Sequence, residues 1–190
     1  HKFQKIIKFK NLAQLGQLVS PHSFRILKKD CLDLPDKVYT KREIELTDEQ
    51  HKAYSEMKAN AITILKDKSM TAVNVLTQLI RLHQITCGHM KTDDDEVIEL
   101  KNNRLTELMQ ILGETTGKVI IWANYINDIK AIEKAVKEEF GKESYCTYYG
   151  ATAQEDRQAC ITKFQDENNP IRFFIGNTQT GGYGITLTQA

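Results

Sequence analysis

Ile171-Arg-Phe-Phe-Ile-Gly-Asn-Thr-Gln-Thr-Gly-Gly-Tyr-Gly-Ile-Thr-Leu-Thr-Gln-Ala190 is the stretch on which the fold turns. An apolar strand runs directly into a Thr-x-x-Gly-Gly-x-Gly loop. Gly181, Gly182 and Gly184 cost conformational entropy that a plain connector would not need, and they permit positive φ and close approach of a phosphate or a neighbouring domain. A tight β-turn is the simpler reading of the same residues.

Two further strand-like runs precede it at nearly even spacing, Lys118-Val-Ile-Ile-Trp122 and Ser144-Tyr-Cys-Thr-Tyr-Tyr149. Helical patterns fill the gaps. Ile126, Ile129, Ile132, Ala135 and Val136 fall on one stripe that stops at Gly141, a natural C-cap. The second pattern starts at Thr152, with Glu155 completing a capping box, and continues through Ala159, Cys160, Ile161 and Phe164. Strand, helix, strand, helix, strand implies right-handed crossovers and a parallel sheet, with ligands at the carboxyl ends of the strands. Asn124-Tyr125, Gly150 and the glycine loop all lie at those ends.

Upstream, Thr47 and Gln50 form a second capping box. Tyr54, Met57, Ala61, Ile64 and Leu65 follow at helical spacing, and Val73, Leu76, Leu79, Ile80 and His83 make another stripe ending at Gly88. These residues predict a helical hairpin whose stripes pack together. His83, Cys87 and His89 stand near Asp93, Asp94 and Asp95, but no Cys-x-x-Cys partner is present and the spacing fits no common zinc module. The acidic run reads as a solvated loop before a helix carrying Leu105, Leu108, Met109 and Leu112.

The net charge of +1 conceals an asymmetry: residues 1–42 carry +7 and the remainder −6. Lys2, Lys5, Lys8, Lys10, Arg25, Lys28, Lys29, Lys37, Lys41 and Arg42 offer an electrostatic grip on phosphates, or simply a solvated basic end. The apolar share of 41% suits a chain able to bury a core. No apolar run approaches the roughly 18 residues of a membrane span, and no signal core is visible, so a cytoplasmic location is the default expectation. Cys31, Cys87, Cys146 and Cys160 lack pair spacing and read as reduced thiols.

In their order along residues 22–190 these motifs resemble the C-terminal part of Swi/Snf-type ATPases of helicase superfamily two. Lys118-Val-Ile-Ile-Trp-Ala-Asn-Tyr125 resembles motif IV of that family. Tyr149-Gly-Ala-Thr-Ala-Gln-Glu-Asp-Arg157 through Phe164 resembles its Gly-x-Thr/Ser-to-Arg segment, and Asn177 through Leu187 resembles motif V. Phe24-Arg-Ile-Leu-Lys-Lys29, Leu34-Pro-Asp-Lys37 and Leu46-Thr-Asp-Glu-Gln50 with Tyr54 resemble the approach from the first motor lobe.

The resemblance implies an α/β, RecA-like parallel sheet with flanking helices, preceded by a helical hairpin. Residues 1–45 would be a basic connecting segment, 46–99 the hairpin, and 100–190 a second motor lobe, incomplete before motif VI. It implies duplex DNA and the N-terminal RecA-like lobe as partners, with ATP and Mg2+ bound by the full-length enzyme and none by this piece. The sequence has no Gly-x-x-x-x-Gly-Lys-Ser/Thr loop and no Asp-Glu-x-His strand, so residues 1–190 alone are expected not to hydrolyse ATP.

By the same resemblance, the backbone contacts would be Thr178, Gln179, Gly181, Gly182, Asn124, Tyr125, Arg157, Arg25, Lys28 and Lys29. A hydroxyl and exposed amides bind phosphate without reading sequence. Arg157 serves equally well as a structural ion-pair partner. Gly184 and Ile185 would face the ATP-side interface between lobes. Gln179 stands where the family has a basic residue, and Thr186 where it has Asn. Short loops point to a bacterial or phage source, with a nuclear location if eukaryotic. An RNA or single-strand DNA helicase, a restriction-system motor and a nucleotide-binding or interaction module remain open alternatives.

Overall fold

Phe173–Asn177 forms the central strand of a three-stranded parallel sheet, and all five of its residues are buried. In the computed structural model, described for residues 8–27, 31, 33, 37–66, 72–92 and 96–190, the chain divides into two compact units, 1–42 and 43–190. Lys2, Lys5, Lys28, Lys29, Leu34, Pro35, Asp36 and Asp93 to Asp95 lie outside the described residues, as do the side chains of Ile64, Leu65 and Val73.

The first unit contains α1 (Leu12–Val19), which runs into a 3₁₀ turn at Ser20–His22. None of α1 is buried: Leu12, Leu15 and Leu18 are all exposed, as is Phe24.

In the second unit, α2 (Asp48–Lys66) and α3 (Ala72–Cys87) form the hairpin. The Thr47–Gln50 box closes as its sequence predicts: the Gln50 amide donates to Thr47 Oγ1 at 3.3 Å, and the Thr47 amide donates to Gln50 Oε1 at 3.1 Å. Gln50 is only 1% exposed, and its Nε2 also donates to the Ile85 carbonyl at 2.8 Å, joining the start of α2 to the end of α3. The stripe of α3 departs from expectation, since Leu76, Leu79 and Ile80 are exposed while Ile85 near the helix end is fully buried. A two-helix hairpin offers one facing surface per helix, and α3 uses for it the half-buried Val75, Gln78 and Leu82 in line with Ile85. Gly88 then turns the chain at φ 94° into the antiparallel ribbon of β1 (His89–Lys91) and β2 (Val97–Glu99).

The sheet follows. α4 (Asn103–Glu114), capped by Asn102 Oδ1 accepting from the Leu105 amide, leads to β3 (Val119–Ala123), α5 (Ile126–Phe140), β4 (Tyr145–Tyr148), α6 (Gln154–Gln165) and β5 (Phe173–Asn177). Strand order is β3-β5-β4, all parallel. Alternation along the strands separates two cores. One face carries Ile121, Ala123, Phe173 and Ile175 against Leu112, Ile129, Ile132 and Val136 of α4 and α5. The other carries Tyr148 and Phe174 against Cys160 and Phe164 of α6, with Ile185 and Leu187 packed alongside. Each fully buried Phe or Ile contributes about 1.5–3 kcal/mol.

Two local expectations are corrected. Thr152 does not cap α6: its hydroxyl accepts from the Tyr149 amide at 3.2 Å within the preceding turn, so the helix begins two residues later, at Gln154, without a side-chain cap. Cys146 and Cys160 are joined in a disulfide rather than reduced. The β4–α6 crossover folds the helix back on its own strand and brings the two Cα atoms to 5.6 Å, a proximity that a separation of 14 in sequence does not reveal.

Candidate nucleic-acid interface

Parallel pairing sets Ala123 opposite Asn177, so the loops after β3 and β5 leave the sheet side by side. Asn177 binds them together. Its side chain is 9% exposed; Nδ2 donates to the carbonyls of Ala123 (3.1 Å) and Asn124 (2.9 Å), and Oδ1 accepts from the Gln179 amide at 2.8 Å. That last bond caps α7 (Thr178–Gly181), a single helical turn where the sequence predicts an open loop. The sequence motif begins at Asn177 but gives its side chain no role. An Asn directly before a helical turn is the signal that marks it.

The three glycines have separate reasons. A Cβ on Gly181 would stand 2.7 Å from the Trp122 ring, and one on Gly182 would stand 2.4 Å from the Thr178 carbonyl oxygen. Only Gly184 has positive φ, at 76°. The Gly182 amide donates to Thr178 O at 2.9 Å, so it closes the turn rather than pointing outward. The close approach at Gly181 and Gly182 is thus internal packing.

Thr178, Gln179 and Asn124 are exposed. Asn124, Tyr125 and Gln179 line a groove of about 530 Å3, together with Gly150 and, from the hairpin side, Gln84 and His89. The Tyr125 hydroxyl is engaged by His83 Nδ1 at 2.8 Å, and its ring meets His89 edge-on with centroids 5.0 Å apart. His89 in turn places Nδ1 3.2 Å from Asp128 Oδ1, and Arg104 Nη1 donates to Cys87 Sγ at 2.7 Å. His83 and His89 both meet Tyr125 and Cys87 Sγ lies 4.0 Å from His83 Nε2, but among the described residues no three His, Cys, Asp or Glu side chains gather as metal ligands. Burial, then the Asp128 charge, raises the Cys87 thiol, with Arg104 pulling the other way. Burial first, then Cys87 and Asp128, raises the Tyr125 phenol. Both stay protonated at neutral pH, so this wall adds no thiolate or phenolate to the groove.

Arg157 makes no ion pair among the described residues and turns back on its own chain. Its Nη2 donates to the carbonyls of Tyr149 (3.1 Å) and Gly150 (2.8 Å), and its guanidinium lies over the Tyr148 ring, holding the turn that borders the groove. Ile185 packs on the Tyr148–Phe174 core and Gly184 is exposed. Arg25 belongs to the first unit, and Lys28 and Lys29 lie outside the described residues.

Comparison with known proteins bears on the fold that carries these loops. The family described as the helicase conserved C-terminal domain matches residues 100–190. That part of the chain belongs to it. The Sulfolobus solfataricus SWI2/SNF2 ATPase C-terminal domain is similar at 26% identity and a TM-score of 0.64, over 82% of this chain and 69% of that one. The core of the same ATPase, solved in complex with double-stranded DNA, is also similar at 26% identity and a TM-score of 0.64, over 94% of this chain and 39% of that one. A CHD3-type chromatin-remodeling factor of Arabidopsis thaliana is 27% identical over all of this chain and 17% of its own length. The helicase C-terminal domain is thus RecA-like, as its resemblance implies. The lean toward a bacterial or phage source has no support, because matching relatives include a plant protein. The chain spans a fifth or less of the curated relatives it matches. Among the described residues no helix is long and apolar enough to cross a membrane.

Proposed function

We propose that this helicase C-terminal domain is the second motor lobe of a Swi/Snf-type ATP-dependent translocase, gripping the backbone of duplex DNA at the carboxyl edge of its sheet. The observation that supports this most is the Asn177 tether. One buried side chain fixes the spacing between the exposed Asn124 loop and the exposed Thr178-Gln179 turn. Two neutral hydrogen-bonding loops at a fixed spacing suit the sugar-phosphate backbone, where contacts position the protein without reading bases. The likeness to a SWI2/SNF2 core solved with double-stranded DNA supports a duplex over other polymers.

In this reading ATP and Mg2+ are held chiefly by an N-terminal RecA-like lobe, which would carry the phosphate loop that this sequence lacks. Gly184 and Ile185 would border that lobe, with Ile185 anchoring the segment on the core below. Closing and opening of the lobes would carry the grip along the duplex.

The test is ATP hydrolysis by the full-length gene product at one fixed salt concentration, without nucleic acid and with duplex DNA, single-stranded DNA or RNA. Strong stimulation by duplex DNA, reduced by Thr178→Ala, is the expected result. Stimulation only by single strands or RNA would identify a helicase acting on those polymers instead, and no stimulation by any of them would overturn the motor reading.

A further inference from the structure

The loops at the carboxyl edge are uncharged: Asn124, Tyr125, Thr178, Gln179 and Thr180 hydrogen-bond but carry no cation. Phosphate affinity in water owes much to cations that displace condensed counterions, so a neutral grip lacks its usual electrostatic part. Among the described residues that line the groove, one is a lysine and none is an arginine. That lysine comes from outside the sheet. Lys91 ends β1, two residues beyond His89, and strand alternation puts the two on one face. His89 is buried at 3% exposure while Lys91 is exposed. The ribbon register pairs Lys91 with Val97, and both line the groove that Gln179 also lines.

We infer that Lys91 is a nucleic-acid contact, supplying from the β1–β2 ribbon the cationic phosphate contact that the sheet-edge loops lack. The ribbon then forms one wall of the binding groove as well as joining the hairpin to the lobe. The groove takes a polyanionic backbone across both walls, with hydrogen bonds on the sheet side and charge on the ribbon side. This rests on the proposed backbone-gripping role of the same groove.

The test measures the affinity of the full-length protein for a duplex oligonucleotide by fluorescence anisotropy between 50 and 200 mM salt, reading the slope of log K against log[salt]. Lys91→Gln should lower the slope by about one and weaken binding evenly across sequences. Lys91→Arg should leave the slope unchanged. Gln179→Lys placed in the Lys91→Gln background should restore it, because the charge returns to the same groove from the other wall. A lost packing contact would not be rescued in that way. An unchanged slope in Lys91→Gln, with wild-type protein binding duplex normally, would overturn the inference and leave the backbone-gripping role standing. Absence of salt-dependent duplex binding by the wild type would overturn both.

Discussion

α5 and α3 carry the same kind of apolar stripe and reach opposite ends. In α5, Ile129 and Val136 are fully buried and Ile132 is 8% exposed, because the sheet supplies the partner surface. In α3, Leu76 and Leu79 are each 58% exposed and Ile80 is 42% exposed. A helical period identifies a face that needs cover; whether cover exists is a property of the rest of the fold. For α5 the cover is written in the same βαβ pattern that predicts the helix. For α3 it is not.

The largest expected effect tests this contrast directly. Ile129→Ala in the 190-residue chain should cost about 2–5 kcal/mol, the transfer loss plus a cavity in a core that cannot collapse. Leu79→Ala should cost less than about 0.5 kcal/mol, as befits an exposed position. Urea unfolding of both variants with equal m-values measures the difference. Equal costs would break the comparison. A Leu79→Ala cost that rises in the full-length protein would sharpen it, by showing that the stripe is covered there.

A middle-sized effect asks what holds α3 if its central stripe does not. Gln50→Ala removes the side-chain half of the capping box, leaving the Thr47 amide without its acceptor, and with it the Nε2 bond to the Ile85 carbonyl, which keeps only the Gly88 amide as donor. The expected loss is about 1–3 kcal/mol. Hydrogen exchange should show the last turn of α3 opening before α5. Uniform exchange across both helices would mean that Gln50 is not the clasp.

The same contrast explains what was legible beforehand. The strand-helix alternation, the full span of α5, the Gly141 stop and the Thr47–Gln50 box could all be read from local residue patterns, as could the family resemblance. The Cys146–Cys160 bond, the inward turn of Arg157 and the link from Tyr125 to His83 could not, because each depends on how a helix packs against a neighbouring strand or loop rather than on a residue pattern. Thr152 misled for a related reason, since one hydroxyl can cap a helix or close a turn and the turn came first. At the candidate site, sequence placed Asn124, Tyr125 and Gln179 on one groove. It missed that Gly181 and Gly182 are small to suit Trp122 and the Thr178 carbonyl, and it missed Asn177.

At Asn177 function should move more than folding. Asn177→Ser keeps an oxygen able to accept from the Gln179 amide and so preserves the cap, but it removes both donors to Ala123 and Asn124. About 1–2 kcal/mol of stability should be lost, since two neutral hydrogen bonds are removed, one of them to the carbonyl of the buried Ala123. With the loops no longer held at a fixed spacing, the full-length protein should need more duplex DNA to half-stimulate ATP hydrolysis, while its rate without DNA stays unchanged. Asn177→Ala, which loses the cap as well, should be the more damaging of the two. If the serine variant keeps wild-type DNA dependence, the two loops grip independently, and Asn177 resembles Gln50 in securing the fold without setting the function.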